Sequence, residues 1–366
     1  MNIVENVVAR DLDEIQNDLQ DEFQTLAGRR LLITGGAGFL GYYLVQAPLH
    51  WNRTVDPARR IRVTVYDNYI RGVPAWLNSL AADPNLDVVQ HDITGPLPDG
   101  TAEVDYIIHA ASIASPTFYR QYPIETMDAN VLGLRRLLDH CRARDESRKV
   151  HGLLFYSSSE IYGDPPPDQI PTAETFRGLV SCTGPRACYD ESKRYGETLC
   201  WNFAGQYGVR AMTARPFNNY GPGLGIADRR VIPDLARNVL DGRDVVLLSD
   251  GSATRTFCYV ADAIVGYYKV LLRGRKGEAY NIGTERPEVS MSELASRLVE
   301  QARDLFGYQG GVVHQASSDL NYLVDNPVRR CPSIAKARQE LGFEPSVSLD
   351  EGLRRSLWWY ANEERR

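Results

Sequence analysis

The chain has few cysteines, little net charge and no long apolar run. Its 366 residues include six cysteines, at 141, 182, 188, 200, 258 and 331. None forms a C-x-x-C pair, and no cysteine–histidine group has zinc-ligand spacing, so no metal site is expected. They read as reduced thiols of a cytoplasmic protein. A net charge of −6 leaves no basic face for a nucleic-acid backbone, so nucleic acid is not an expected partner. No stretch approaches the roughly 18 apolar residues of a membrane helix, so no membrane partner is expected either. The opening MNIVENVVARDLDEIQ lacks the basic region and apolar core of a secretory signal. There is no internal repeat and no low-complexity tract.

The apolar fraction is 43%, enough for a sizeable core, and the length can hold two lobes. In residues 1–28, Val4, Val8, Leu12, Ile15, Leu19, Phe23 and Leu26 recur at three-and-four spacing, which predicts an amphipathic helix. Packing of this extension on its own chain is favoured over contact with a partner subunit. From residue 30, apolar runs alternate with helical patterns. RLLIT, IRVTVYD, LDVVQHD, VDYIIHA, HGLLFYSSS and VRAMTARP read as strands buried on both faces. That rhythm predicts an α/β fold, a Rossmann doubly wound parallel sheet. The nucleotide-binding part is placed at 29–214, with a return segment near 253–284. Glycine-, proline- and asparagine-rich sequence after 215 marks a smaller C-terminal substrate-binding lobe, from 215–252 and 285–366.

LLITGGAGFLG, residues 31–41, runs from a strand through glycines into a helix. Gly35, Gly36, Gly38 and Gly41 allow a tight turn, close approach to a pyrophosphate and close helix packing. The helix N-terminus then offers unpaired N–H groups to the phosphates. The next strand ends at Asp67, whose carboxylate suits the ribose hydroxyls of NAD and repels the extra phosphate of NADP. Asp92 and the Ala110–Ala111 pair close the two strands after that. The expected cofactor is therefore NAD. Its expected contacts are Gly35, Gly38, Phe39, Leu40, Gly41, Asp67, Asn68, Asp92, Ile93, Ala110, Ala111, Ser112 and Asn130, with Tyr189 and Lys193.

LLFYSSSEIYG is an apolar strand with a polar end, which puts Ser157, Ser158, Ser159 and Glu160 in the ligand crevice. About thirty residues later, CYDESKRYGETLC places Tyr189 and Lys193 one helical turn apart. Surface helices often carry such a pair. Here it follows the glycine loop and the serine strand, which points to catalysis. A free tyrosine is too weak an acid to serve as a base near neutrality. A neighbouring ammonium and the positive nicotinamide favour the phenolate and lower the tyrosine pKa. Tyr189 can then take a proton from a sugar hydroxyl as hydride leaves the same carbon, with Ser158 holding the oxygen and Lys193 the nicotinamide ribose.

TGGAGFLG, YDN, HAAS, SSSEIYGDP, GPRACYDESKRYGETLC, RPFNNYGP, TRTFCYV and AYNIG follow one another in an order that resembles the extended short-chain dehydrogenase/reductase family, over about 29–361. Within its nucleotide-sugar epimerase/dehydratase members, GPRACYDESKR, SSSEIYGDP and HAASIASPTFYRQYPIETMDAN are most similar to UDP-glucuronate decarboxylases (UDP-xylose synthases). The resemblance implies a lyase that uses NAD to oxidise C4 of a UDP-hexuronic acid, loses CO2 and restores the hydride. It also implies a homodimer built on a helix bundle. Glu160 separates the readings. Sugar 4,6-dehydratases of the family carry Asp-Glu where this chain has Ser159–Glu160, and simple 4-epimerases generally lack the glutamate. Three roles for Glu160 are open: to position the ring, to protonate C5 through water, or to repel the carboxylate. The implied substrate contacts are Ser115, Pro116, Tyr119, Glu160, Asn218, Arg230, Val231, Arg255 and Arg330, and Asn130 matches an asparagine that steadies the active-site helix. The alternatives are a nucleotide-sugar 4-epimerase or 4,6-dehydratase, and a catalytically silent nucleotide-binding protein. The chain departs from the branch at Gly223, where arginine is usual, at Asp128, where lysine is usual, and in an insertion, HWNRTVDPARR.

Overall fold

The computed structural model describes residues 7–145, 148–315 and 327–364. Six strands of the central sheet lie where the apolar runs predict them: β1 (Arg30–Thr34), β2 (Arg62–Asp67), β3 (Leu86–Gln90), β4 (Tyr106–His109), β5 (Gly152–Tyr156) and β6 (Ala211–Pro216). A seventh, β7 (Ala279–Ile282), pairs with β6. The sheet is parallel throughout, in the order β7-β6-β5-β4-β1-β2-β3. This is the doubly wound Rossmann arrangement. Its order reverses between β1 and β4, which opens a crevice at the carboxyl ends of those strands.

Alternate side chains feed opposite layers, as a strand's period of two requires. Leu31, Ile33 and Leu154 join one apolar cluster, while Leu32, Leu153 and Phe155 join the other. The first cluster takes in α1 (Val7–Asp18), α2 (Gln20–Leu26) and α3 (Gly41–Trp51). The second takes in α4 (Leu134–Ala143) and the long α5 (Ala187–Tyr207).

The N-terminal extension packs on its own chain. Val8, Leu12, Ile15, Leu19, Phe23 and Leu26 are buried, and Val4 lies outside the described residues. Part of its seat is the insertion that lengthens the first crossover. His50 Nε2 lies 2.7 Å from Asp13 Oδ1, and the Gly28 N–H donates to the Arg59 carbonyl at 2.8 Å. The Phe23 and Trp51 rings are 6.0 Å apart. The N-terminal extension and the insertion therefore fit together. Asp11, fully buried, fastens them to the rest: it accepts from Tyr43 in α3, from Tyr259 at 2.7 Å and from Arg355 at 2.6 Å.

On the far side of the crevice the chain forms small sheets. Thr254–Arg255 pairs with Val289–Ser290 and with Arg329–Arg330, and in the second pair Arg255 faces Arg330 in register. Val245–Leu247 pairs with Val312–His314. No helix among the described residues is long and apolar enough to cross a membrane.

Candidate active site

A cleft of about 840 Å³ runs from the glycine loop across the ends of β1, β4 and β5 to the small sheets. At one end, Gly35 has a φ of +73°, and a Cβ there would lie 2.5 Å from the backbone of Ala111. A Cβ on Gly41 would lie 2.1 Å from the Gly36 carbonyl oxygen. Only glycine permits this close turn into α3. Asp67, at the end of β2, accepts from the backbone N–H of Ala37 at 3.0 Å and of Tyr69 at 2.9 Å, which fixes its carboxylate at the cleft wall. Burial raises its pKa above the ordinary value, with those two hydrogen bonds opposing. Asn68 donates to Asp92 at 3.3 Å, so these two also face the cleft together.

These features fit a dinucleotide. Phe39, Leu40, Ile93, Ala110, Ala111 and Ser112 line the same end. Ser112, Ser157 and Tyr119 each present a buried hydroxyl with no hydrogen-bond partner among the described residues. Buried hydroxyls of this kind call for a polar ligand or water. Asn130 is the exception among the residues expected at the cofactor. It lies behind the cleft, fully buried, and its Nδ2 donates to Ser192 Oγ at 2.9 Å. It sits in a π-helical turn, 129–133, and steadies α5 from the side. This is the place of the helix-steadying asparagine that the resemblance implies.

The strand β5 and the helix α5 bring the expected catalytic residues together. Ser158, Ser159 and Glu160 leave β5 in a tight turn in which Ser158 Oγ accepts from the Glu160 N–H at 3.2 Å. The Ser158 hydroxyl favours the phenolate form of Tyr189. The Tyr189 ring stacks on Tyr119, with centroids 5.1 Å apart. Lys193 Nζ donates to the Tyr156 carbonyl at 2.7 Å and lies 5.5 Å from the Tyr189 ring centroid. Burial dominates both residues. It pushes the Tyr189 phenol up to about 12 and brings Lys193 down to about 7. Desolvation is the largest influence on Tyr189, and Ser158 and Arg230 favour its phenolate.

Glu160 lies between two guanidinium groups. Arg330 meets both of its oxygens, one at 2.6 Å, and Arg186 meets Oε2 from the other side. Burial works to raise the carboxyl, but Arg330 and Arg186 prevail and hold it at about 2. Arg255, beside Arg330, turns elsewhere and donates to the carbonyls of Thr254 at 2.7 Å and Val328 at 3.0 Å. Burial, aided by Arg330, brings its pKa down to about 9.

Near the cleft mouth, Ser115 donates to the Asp228 carbonyl at 2.9 Å, and the Asp228 carboxylate pairs with Arg230 at 3.0 Å and with Arg71 at 2.8 Å. Pro116 and Val231 line the same stretch. Asn218, with a φ of +41°, donates to the Thr256 carbonyl at 2.8 Å and also lines the cleft. Sequence reasoning missed Arg186, Arg71 and Asp228. Arg186 carried a signal, since it stands three residues before Tyr189 and so lies one turn back along the same helix face. Arg71 and Asp228 meet only through the tertiary fold.

Gly223 has a φ of +88°, and a Cβ there would lie 2.5 Å from Tyr42 Cβ. The aromatic ring in the first turn of α3 thus fills the ground that an arginine would need. Asp128 lines the cleft.

The fold and the glycine loop define a dinucleotide-binding protein with a tyrosine–lysine–serine centre. The chain belongs to the NAD dependent epimerase/dehydratase family, which it matches over residues 31–283, and NAD is its cofactor. It is 36% identical over 324 residues to UDP-glucuronic acid decarboxylase 6 of Arabidopsis thaliana, covering 88% of this chain and 86% of that one. It is 36% identical over 335 residues to UDP-glucuronic acid decarboxylase 1 of Xenopus tropicalis, covering 92% and 73%. Among solved structures, it resembles an epimerase from Methanothermobacter thermautotrophicus with a TM-score of 0.78 at 27% identity, covering 96% and 97%. It also resembles the dTDP-glucose 4,6-dehydratase DesIV of Streptomyces venezuelae, crystallised with NAD, with a TM-score of 0.75 at 28% identity, covering 91% and 97%.

Proposed function

We propose that this protein is a lyase that decarboxylates a UDP-hexuronic acid, of the UDP-glucuronate to UDP-xylose type. The carrying observation is Ser159–Glu160 at the end of β5, with Glu160 locked as an anion beside Tyr189. A dehydratase of this family would need a protonated acid where Ser159 stands. A carboxyl held at about 2 is also a poor proton carrier near neutrality. Identity to named UDP-glucuronic acid decarboxylases over most of the chain supports the same reading.

Bound NAD supplies the hydride acceptor for C4 and returns the hydride at the end. Tyr189, whose phenol pKa burial raises and the positive nicotinamide of bound NAD would lower, takes the C4 hydroxyl proton, and Ser158 aligns that oxygen. With C4 a ketone, the C5–C6 bond lies β to it. The bond breaks, its electron pair enters the C4 carbonyl as an enolate, and CO2 departs. A proton then returns to C5, and Tyr189 gives its proton back to the C4 oxygen. Lys193 anchors the ribose side of the site. Asn218, Ser115, Pro116, Tyr119, Arg230 and Val231 line the cleft where the nucleotide sugar is proposed to lie, with Arg255 and Arg330 in its wall.

The working form is proposed to be a cytoplasmic homodimer. Ile124, Met127 and Leu132 are exposed on one helical segment, and Tyr195 on α5 beside it. Such apolar exposure on adjoining helices supports a helix-bundle contact between copies. The free thiols at all six cysteines support a reducing compartment. The deciding experiment incubates the protein with NAD+ and UDP-glucuronate and weighs the sugar nucleotide by mass spectrometry. A loss equal to CO2 is expected. An unchanged mass with a shifted chromatographic position would replace this reading with 4-epimerisation.

A further inference from the structure

Arg186 stands at the entry to α5, one turn before Tyr189. Its side chain is 12% exposed, and that of Arg330 is 9% exposed. Two enclosed guanidinium groups beside a sugar acid would ordinarily grip its carboxylate, because an arginine fork matches a carboxylate bidentately. Here the fork already holds an anion. Both terminal nitrogens of Arg330 and one of Arg186 are engaged by Glu160.

The chemistry of C–C cleavage gives this a purpose. When the C5–C6 bond breaks, negative charge leaves the carboxylate and moves toward the C4 oxygen. A cation bound to that carboxylate stabilises the ground state more than the transition state and slows the step. An unpaired carboxylate in an enclosed site, beside another anion, carries no such brake.

We infer that Arg186 and Arg330 form a carboxylate-binding pair that Glu160 keeps occupied, so that the sugar carboxylate stays unpaired and free to leave as CO2. Arg186 is on this account a specificity-determining residue: Glu160 masks it, and unmasking it favours holding the acid over cleaving it. The inference rests on the decarboxylase reading and adds the reason CO2 is lost. Atoms and electrons balance as in that reading: the C5–C6 pair goes to the enolate, a proton from water replaces CO2 at C5, and no oxidant or reductant beyond NAD enters.

The test is single turnover with NAD+ and UDP-glucuronate, following NADH absorbance for C4 oxidation and trapped CO2 for cleavage. Glu160→Gln keeps the side-chain volume and releases the guanidinium pair. It is expected to lower KM for UDP-glucuronate and to cut CO2 formed per C4 oxidised by about tenfold, with NADH persisting. Adding Arg186→Met to Glu160→Gln should bring back part of the lost CO2, a rescue that a structural role for Arg186 would not give. Should Glu160→Gln fold poorly, Glu160→Asp, with its shorter reach, is expected to give an intermediate ratio. An unchanged ratio in the glutamine variant, or in the aspartate variant used in its place, overturns the inference while the decarboxylase reading stands. Wild-type protein that oxidises C4 and forms no CO2 removes that reading and the inference with it.

Discussion

The ring of Tyr119 lies flat on that of Tyr189, with 5.1 Å between centroids and 13° between planes. The stack holds the Tyr189 ring in place, and it leaves the Tyr119 hydroxyl buried in the cleft wall with no partner among the described residues. Burial pushes that phenol well above its ordinary value, so it stays protonated and can donate. Tyr119→Phe keeps the stack and removes the donor. We expect KM for the nucleotide sugar to rise about tenfold, as for a lost hydrogen bond to a charged group, with NAD affinity unchanged. Steady-state kinetics and NAD titration separate the two. Unchanged KM would show that the hydroxyl does not meet substrate.

Asp11 ties the N-terminal extension to Tyr43, Tyr259 and Arg355. Asp11→Ala leaves the Arg355 charge buried without its innermost partner. Removing one member of a buried pair costs about 3 kcal/mol. Denaturant unfolding should show a midpoint shifted by that amount with the slope unchanged. A shift near zero would mean that Glu14 and Glu351, which also reach Arg355, suffice to hold the helix.

Most of the sheet was legible in the sequence because its strands are short apolar runs with polar ends, and Asp67, Ser158 and Glu160 sit where those runs stop. The glycine loop was legible for a steric reason: a Cβ at Gly35 or Gly41 would strike backbone. The seat of the N-terminal helix was not, since periodicity gives a buried face but not what covers it. The pairing of Arg330 with Glu160 joins positions 170 residues apart, and nothing local signals it. The burial around Tyr189 was not legible for a similar reason. The lysine four residues on is visible in the sequence, and the burial is not.

Gly223 stands where the resembling branch carries arginine, and the structure accounts for the difference. Its φ of +88° disfavours any side chain, and Tyr42 occupies the adjacent space. Gly223→Ala should therefore destabilise the fold by about 2 kcal/mol, and Gly223→Arg by more. Combining Gly223→Arg with Tyr42→Ala should recover stability relative to Gly223→Arg alone, as read by thermal unfolding. Equal stability of Gly223→Ala and the parent would show that the loop bends freely.

Arg71 reaches from the loop after β2 to Asp228, 2.8 Å away, and lies over the Phe118 ring at 4.2 Å. Arg71 and Asp228 both line the cleft. Arg71→Ala should speed NAD release several-fold and leave the rate of C4 oxidation in the saturated enzyme unchanged. Stopped-flow displacement of bound NADH measures the first, and single-turnover absorbance the second. An unaltered release rate would show that the cofactor does not exit past Arg71.

Lys193 gives the NAD-stripped protein a pH dependence of definite sign. Burial takes the lysine from its ordinary 10.5 down to about 7 in the fold. Between those values the unfolded chain holds a proton that the native protein lacks, so stability rises with pH across the interval. Below it the buried ammonium remains charged, hydrogen-bonded to the Tyr156 carbonyl, and its desolvation weighs against the fold. Lys193→Met removes the titration. The thermal midpoint of the variant, relative to the parent, should be highest near the acid end of the interval and should decline as pH rises toward the other end. Bound NAD, placed against the lysine, should flatten the parent's curve. Parallel curves for parent and variant would mean that Lys193 keeps its proton throughout, and would restore the ammonium as the leading influence on Tyr189.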